Sequence, residues 1–172
     1  NTFNEPAVYL FNSRLQGGFP PFKKSLTGFY RALKNMSRAH RLSVPLIKAA
    51  YPNVPVGISK NRVIFAPENI LGRLPAKLAD KVFMEYVADH FIDGCDYWGM
   101  SYYAKIRLTP FPISEVDAPG KLDKMGLPHD KMWEYYPMGM KESILRYHKR
   151  YGKPMFITES GICTENSDVR IA

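Results

Sequence analysis

The chain has 172 residues, of which 45% are hydrophobic and 13% aromatic, so it is long and apolar enough to bury a core as a single globular domain. Its net charge is +8, but the basic residues are scattered and no nucleic-acid motif accompanies them, which favours solvated basic faces and argues against a nucleic-acid partner. The longest apolar runs fall short of the roughly 18 residues of a membrane span, so we expect no membrane partner.

Cysteine and histidine usage argues against a metal or disulfide protein. Cys95 and Cys163 have neither metal-ligand spacing nor the density of a disulfide framework, which favours a reducing compartment and predicts a cytoplasmic location. The four histidines show no metal pairing, so no metal and no cofactor are expected. Because the first residue is Asn and residues 1–6 already resemble the end of a strand, we expect a fragment whose native N-terminus is absent.

Helical periodicity follows this first strand end. Apolar residues at helical spacing predict a helix that begins near Leu26 and continues until Pro52, with Pro45 kinking or breaking it. Residues 54–59 predict a short buried strand, with Asn61 just past its end.

The same alternation continues in the second half of the chain. A helical pattern comes first, carried by Leu74, Leu78, Val82 and Phe91. Residues 97–103 predict an aromatic strand, and a Pro- and Gly-rich loop follows over about 109–130, a length more often functional than filler. A helix from Pro137 to Gly152 and a strand over 154–158 complete the pattern.

Strands that alternate with helices predict an α/β fold with parallel strands. In such folds the loops after the strands lie on one face, where side chains distant in sequence share a pocket. Four polar side chains fall at predicted strand ends, namely Glu5, Asn61, Tyr103 and Glu159.

The two glutamates suggest cleavage of a glycosidic bond, which needs one carboxylic acid to protonate the leaving oxygen and one carboxylate opposite it. Glu5 lies in Thr2-Phe3-Asn4-Glu5-Pro6 and Glu159 in Ile157-Thr158-Glu159-Ser160-Gly161. Pro6 disfavours the helical region for Glu5, so we expect Glu5 to be extended at a strand's end and not at a helix start. The amide of Asn4 could hydrogen-bond a sugar hydroxyl.

With these motifs the sequence resembles glycoside hydrolase family 1, the β-glucosidase and 6-phospho-β-glucosidase family, over essentially its whole length. The Asn4-Glu5-Pro6 motif resembles the family's acid/base motif after barrel strand 4, and Thr158-Glu159-Ser160-Gly161 resembles its nucleophile motif after strand 7. Further matching segments lie between them: Ala39-His40, Ser101-Tyr102-Tyr103, Trp133, Tyr136-Pro137-Met138-Gly139-Met140 and Lys153-Pro154.

The resemblance implies a partial (β/α)8 TIM barrel, roughly its second half without the last strand, in which Glu159 is the nucleophile and Glu5 the acid/base. It also implies retention of configuration, with the two carboxylates roughly 5 to 5.5 Å apart. Tyr103 matches a tyrosine that orients the nucleophile, and Ser101 and Ser160 stand where the family usually has Asn, so sugar contacts there are expected to differ. Asn61 and Ser101 are the other candidate substrate-binding or orienting residues.

We therefore expect residues 1–172 to be a single-domain fragment of a retaining β-glycosidase that acts on a β-glucoside or related disaccharide. Half a barrel leaves sheet edges open, so the remainder of the barrel or self-association is expected to cover them, and the isolated fragment is expected to be weakly active or inactive. A noncatalytic carbohydrate-binding or structural remnant of the same fold is the alternative. Trp98 and Trp133 could be sugar-stacking platforms or packed core residues.

Overall fold

The computed structural model describes residues 1–109, 119–165 and 168, and its centre is an open sheet of three parallel strands. In sheet order these are β1 (Gly57–Pro67), β2 (Tyr97–Leu108) and β3 (Met155–Ser160). Residues 2–4 lie along the free edge of β1, where Asn4 pairs in parallel with Ser59. The α/β architecture with parallel strands and a strand end at the start of the chain is therefore confirmed.

Helices make the connections, as parallel strands require, because a tight hairpin cannot join them. They are α1 (Pro6–Phe11), α2 (Leu26–Ala50), α3 (Arg73–Ala79), α4 (Val87–Asp89), α5 (Pro119–Lys124) and α6 (Met138–Tyr151). Between α3 and α4 the helical path continues through a π-helical stretch, Asp80–Tyr86.

The core forms where the helices pack on the sheet. Leu33 of α2, Phe91 after α4 and Tyr147 of α6 are buried there with Trp98 of β2. The Trp98 ring lies 5.9 Å from the ring of Tyr147 and 5.1 Å from that of Tyr151, between ring centroids. Trp98 is thus a packed core residue, the second of the two roles considered for it.

Helix α2 runs without a break through Pro45, so of the two effects predicted for this proline, a kink or a break, the break is wrong and the kink stays a prediction. Pro45 lies on the exposed side of the helix, where water can hydrate the carbonyl oxygen that loses its N–H partner. Packing holds the helix on both sides of the proline: His40 is buried before it, and Lys48 forms an ion pair with Asp96 after it.

Both β1 and β2 are longer than the sequence pattern predicts, and this moves two candidate site residues. Asn61 lies inside β1 and Tyr103 inside β2, so their predicted positions at strand ends are wrong. The cause is tertiary, because the two strands continue to pair with each other as far as Pro67 and Leu108, past a register shift after Arg62. Of the predicted loop 109–130, residues 110–118 lie outside the described residues, and residues 119–124 form α5.

Glu5 is not extended, which corrects a further prediction: it caps the N-terminus of α1 with a left-handed backbone, φ 44° and ψ 53°. Its N–H donates to the carbonyl of Ser59 at 2.7 Å, while its own carbonyl accepts from the N–H of Val8 at 3.0 Å. Pro6 disfavours the right-handed region for Glu5 yet suits the first position of a helix. The chain must therefore turn from sheet to helix within one residue, at a cost of about 1–2 kcal/mol for a residue other than glycine.

We predict that Gly139→Ala lowers the free energy of unfolding by about 1–3 kcal/mol, since it overpacks the contact of α6 with the sheet. A Cβ at Gly139 would lie 2.0 Å from the hydroxyl oxygen of Tyr102, which is itself bonded to the carbonyl of Tyr136. Urea unfolding followed by circular dichroism measures the change. The matched control is Gly120→Ala, where nothing lies within 4 Å of the added carbon, and an equal loss in both variants would refute the steric explanation.

Candidate active site

A cavity of about 670 Å³ brings together most of the residues singled out from the sequence. Glu5, Asn61, Ser101 and Tyr103 all line it, and so does Trp133. Its volume is within the range of small-molecule sites. Of the four side chains expected to share a pocket, Glu5, Asn61 and Tyr103 line this cavity, whereas Glu159 is not among its lining residues.

Strand alternation explains why these side chains are available. Trp98, Met100 and Tyr102 of β2 belong to the core, and because successive residues of a strand point to opposite faces, Ser101 and Tyr103 face the other way. In β3, Glu159 pairs in parallel register with Ser101. The second carboxylate is thus held next to a residue that lines the cavity.

Tyr103 connects the cavity to Glu159. Its hydroxyl donates a hydrogen bond of 2.7 Å to Oε2 of Glu159. Partial burial, this bond and the charges of Glu159 and Glu5 together raise the pKa of Tyr103 to about 12, so the tyrosine is a neutral donor at ordinary pH. Such a bond fixes the orientation of the carboxylate and leaves its other oxygen available for another contact.

Glu5 is the carboxyl group whose environment favours protonation. Burial raises the pKa of Glu5 above its ordinary value, and the negative charge of Glu159 raises it further. The charge of Lys60 and a hydrogen bond from Ser101 act in the opposite direction. A half-buried carboxyl group coupled to a second carboxylate is suited to carry a proton, which is the property of a general acid.

A group of three hydroxyls from three neighbouring strands was not predicted. The oxygens of Ser59 and Ser101 lie 2.9 Å apart, those of Ser59 and Thr158 2.5 Å, and those of Ser101 and Thr158 3.4 Å. Each strand therefore contributes one small polar residue on the same face of the sheet. The available signal was that Ser59, Ser101 and Thr158 each lie in a predicted strand, near or within the candidate motifs.

Lys60 is also missing from the sequence predictions, because an isolated lysine in a strand is normally solvent-exposed. Here it is fully buried, and its Nζ donates to the backbone carbonyl of Asn61 at 2.7 Å and to Oδ1 of the same residue at 2.9 Å. Burial, with a smaller contribution from Arg62, lowers the pKa of Lys60 to about 7. Lys60 thus orients the Asn61 amide oxygen and places a titratable cation within electrostatic range of Glu5.

Two other residues of the motifs lie outside the cavity. Asn4 is exposed and does not line it, so its contact with a sugar hydroxyl stays a prediction. His40 is buried and supports the segment before Glu5: its Nδ1 lies 2.6 Å from the hydroxyl of Thr2, and its Nε2 lies 3.1 Å from the carbonyl oxygen of Asp93. Within the described residues, no group of three or more His, Cys, Asp or Glu side chains is arranged to hold a metal ion.

A parallel sheet joined by helices, with side chains from several strands at one cavity, is the arrangement expected of part of a (β/α)8 barrel. The chain belongs to glycosyl hydrolase family 1, whose family description matches residues 81–170, just over half of its length. That segment includes Glu159, and Glu5 lies before it.

Relatives and a solved structure agree with this assignment over nearly the whole chain. The chain is 24% identical to a β-glucosidase of Agrobacterium sp., covering 94% of this chain and 43% of that protein. It is 26% identical to a β-galactosidase of Sulfolobus acidocaldarius, covering 95% and 39% respectively. The structure of a β-glycosidase from Pyrococcus horikoshii superposes with a TM-score of 0.78 at 28% identity, over 98% of this chain and 44% of the other. The chain therefore spans about two fifths of the length of the relatives it matches.

We predict that Glu159→Gln lowers the pKa of Glu5, because the substitution removes a negative charge that favours the protonated form. Carbon-13 NMR titration of the glutamate carboxyl groups, with Glu5→Gln used to assign the resonance, measures the pKa. Glu142→Gln, an exposed change on α6, serves as the control and should leave the titration unchanged. A pKa of Glu5 that does not respond to Glu159→Gln would show that the two carboxyl groups are not coupled.

Lys60 predicts a specific dependence of stability on pH. Its pKa is about 7 in the folded chain against about 10.5 when unfolded, so between these values the unfolded chain binds more protons and the free energy of unfolding rises with pH. Chemical unfolding at pH 7, 8 and 9 should show this rise, and Lys60→Met should flatten it. Lys77→Met, an exposed change on α3, should keep the slope, and an equal slope in wild type and Lys60→Met would contradict the prediction.

Proposed function

We propose that this chain carries the catalytic carboxylates of a retaining β-glycosidase that hydrolyses terminal β-linked sugars, with a β-glucoside or related disaccharide as substrate. The observation that supports it most is the arrangement of Glu5 and Glu159. The pKa of Glu5 is raised, and the negative charge of Glu159 contributes to this rise. The carboxylate of Glu159 is held in turn by the hydroxyl of Tyr103. Membership of glycosyl hydrolase family 1 and the names of the β-glucosidase and β-galactosidase relatives support the same reaction class.

The chemistry proceeds in two displacements. Glu159 attacks the anomeric carbon while Glu5 gives its proton to the leaving oxygen, which produces a glycosyl ester on Glu159 and a free alcohol. Esterification removes the charge of Glu159, and with it one cause of the raised pKa of Glu5. Glu5, now a carboxylate, takes a proton from water as the water oxygen attacks the anomeric carbon and displaces the carboxylate of Glu159. This second displacement restores both groups and retains the configuration.

The remaining site residues support these two groups in the proposal. Tyr103 orients Glu159, and the hydroxyl of Ser101 favours the ionised form of Glu5. Asn61 presents its amide nitrogen because Lys60 occupies its amide oxygen. Trp133 lines the same cavity and offers an aromatic surface to a sugar ring. Asn4 would bind a sugar hydroxyl from the adjacent edge.

We propose further that residues 1–172 act as one domain and that the active site is completed by the rest of a barrel or by self-association. The chain covers only about two fifths of its relatives, and the outer strand β3 exposes Phe156 and Ile157 to solvent, at 53% and 42%. Cys95 and Cys163 are both free thiols, which supports a reducing location such as the cytoplasm.

The exposed strand β3 also favours a second candidate function, a noncatalytic carbohydrate-binding or structural remnant of the same fold. An open edge strand with apolar side chains is stable in solution when a partner covers it. Light scattering helps to distinguish the noncatalytic remnant from a catalytic fragment, because a stable remnant should form an assembly with a small, defined number of copies. Covalent trapping separates them directly.

The trapping experiment uses a 2,4-dinitrophenyl 2-deoxy-2-fluoro-β-glucoside, whose good leaving group permits the first displacement while the fluorine slows the second. With the rest of the barrel or a second copy completing the site, we expect a stoichiometric mass increase that peptide mapping assigns to Glu159, and none in Glu159→Gln; the isolated chain should be labelled weakly or not at all. A label on a different residue would refute the assignment of the nucleophile. A completed, folded assembly that binds the sugar without any label would support the noncatalytic alternative.

Leaving-group dependence distinguishes the acid from the nucleophile. We predict that Glu5→Gln slows cleavage of an alkyl β-glucoside by about 10²–10⁴-fold but affects the first step with a dinitrophenyl β-glucoside much less, because that leaving group needs no proton. Glu159→Gln should abolish cleavage of both substrates. Burst and steady-state rates of product release give the two steps separately, and equal losses with both substrates in Glu5→Gln would contradict its role as acid.

A further inference from the structure

The positive charge of the chain is concentrated in one segment. Residues 6–67 contain ten Lys or Arg and no Asp or Glu, whereas the rest of the chain contains 14 Lys or Arg and 16 Asp or Glu. The net charge of +8 therefore arises entirely from this segment. Helix α2, which lies within it, has no acidic residue over its 25 residues.

Folding places the charge of α2 on its outer side. Phe29, Leu33, Ser37 and His40 are its buried residues, so the opposite side faces solvent. That side carries the exposed basic residues Arg31, Lys34 and Arg38, and a fourth, Arg41, lies at its border beside the buried His40. Among the described ion pairs, the one between Lys48 and Asp96 is the only one that involves α2. Lys34 lies over the ring of Tyr30, and Arg41 donates to the carbonyl of His90, which leaves both charges without a carboxylate.

The same side becomes apolar toward the end of the helix. Leu42 and Leu46 follow Arg38 at successive intervals of four residues and are 58% and 72% exposed. Tyr51, directly after the helix, is 64% exposed. Residues four apart lie on one face of a helix, so Arg31, Lys34, Arg38, Leu42 and Leu46 form a continuous surface, called here the outer face of α2.

We propose that the outer face of α2 binds the surface of a membrane that contains anionic lipids. Lys and Arg attract anionic headgroups, and exposed leucines gain by entering the boundary between headgroups and acyl chains. Tyr51 suits the same boundary, because an aromatic ring with a hydroxyl is stable at the membrane interface. A nucleic acid would satisfy the cations but has no apolar surface that matches Leu42 and Leu46.

Binding of this kind requires no membrane span. Within the part of the chain that the structure describes, no helix is long and apolar enough to cross a bilayer. The expectation of no membrane partner rested on the missing span and on basic residues that look scattered along the sequence. The structure gathers Arg31, Lys34 and Arg38 on one side of α2, away from the residues that the helix buries. The proposal does not depend on the glycosidase activity.

The test is flotation of the 172-residue chain with vesicles of phosphatidylcholine alone or with about 30% phosphatidylserine. We expect binding to the anionic vesicles that decreases as salt is raised, since the contact is screened. Each cation near an anionic surface contributes about fivefold, so Arg31→Gln/Arg38→Gln should weaken binding about 30-fold. Leu42→Asn/Leu46→Asn should weaken it about tenfold and leave the salt dependence unchanged.

The matched control is Lys141→Gln/Lys149→Gln, which removes the same charge from exposed positions of α6 and should keep binding within twofold of wild type. Circular dichroism confirms that each variant is folded. An equal loss in the α6 variant would assign binding to overall charge and overturn the proposal. Absence of binding to the anionic vesicles would also overturn the proposal. Tight binding to a 20-nucleotide single strand that is lost in Arg31→Gln/Arg38→Gln would overturn it as well.

Discussion

Parallel hydrogen bonding across the sheet is the constraint on which the candidate site depends. Residues 2–5 pair with β1, β1 with β2, and β2 with β3, all in one direction. This register places Asn61 next to Ser101 and Ser101 next to Glu159, so residues from both ends of the chain meet at one cavity. If the pairing slipped by one residue, Ser101 and Tyr103 would exchange faces with the core residues beside them.

The electrostatics of the cavity follow from burial as much as from charge. Burial raises the pKa of Glu5 and lowers the pKa of Lys60, so both groups favour their neutral forms relative to water. Their mutual attraction opposes this for both groups, and Glu159 adds a negative charge that strengthens proton binding at Glu5. The environment of Glu5 therefore favours protonation more than water does, and the hydroxyl of Tyr103 holds the carboxylate of Glu159 in place.

The sequence was sufficient for those features that local pattern decides. Glu5 and Glu159 lie in short motifs after apolar segments, and the alternation of helices and strands predicted the parallel sheet. The sequence was insufficient where the local structure depends on contacts with residues far away in the chain. Strands β1 and β2 extend because they continue to pair with each other, and the left-handed backbone of Glu5 depends on the Ser59 carbonyl. The burial of Lys60 could not be predicted, because the hydrogen bond from its ammonium group to the Asn61 side chain forms only in the folded strand.

The three hydroxyls of Ser59, Ser101 and Thr158 have a consequence for how the site responds to a change of charge. Each hydroxyl can donate one hydrogen bond and accept two, and each rotates about a single bond. Because either oxygen of each pair can be the donor, the hydrogen bonds can run in either sense around the triangle. The hydroxyl dipoles near the carboxyl group of Glu5 can therefore reorient by rotation of hydrogen atoms alone, without any movement of the strands.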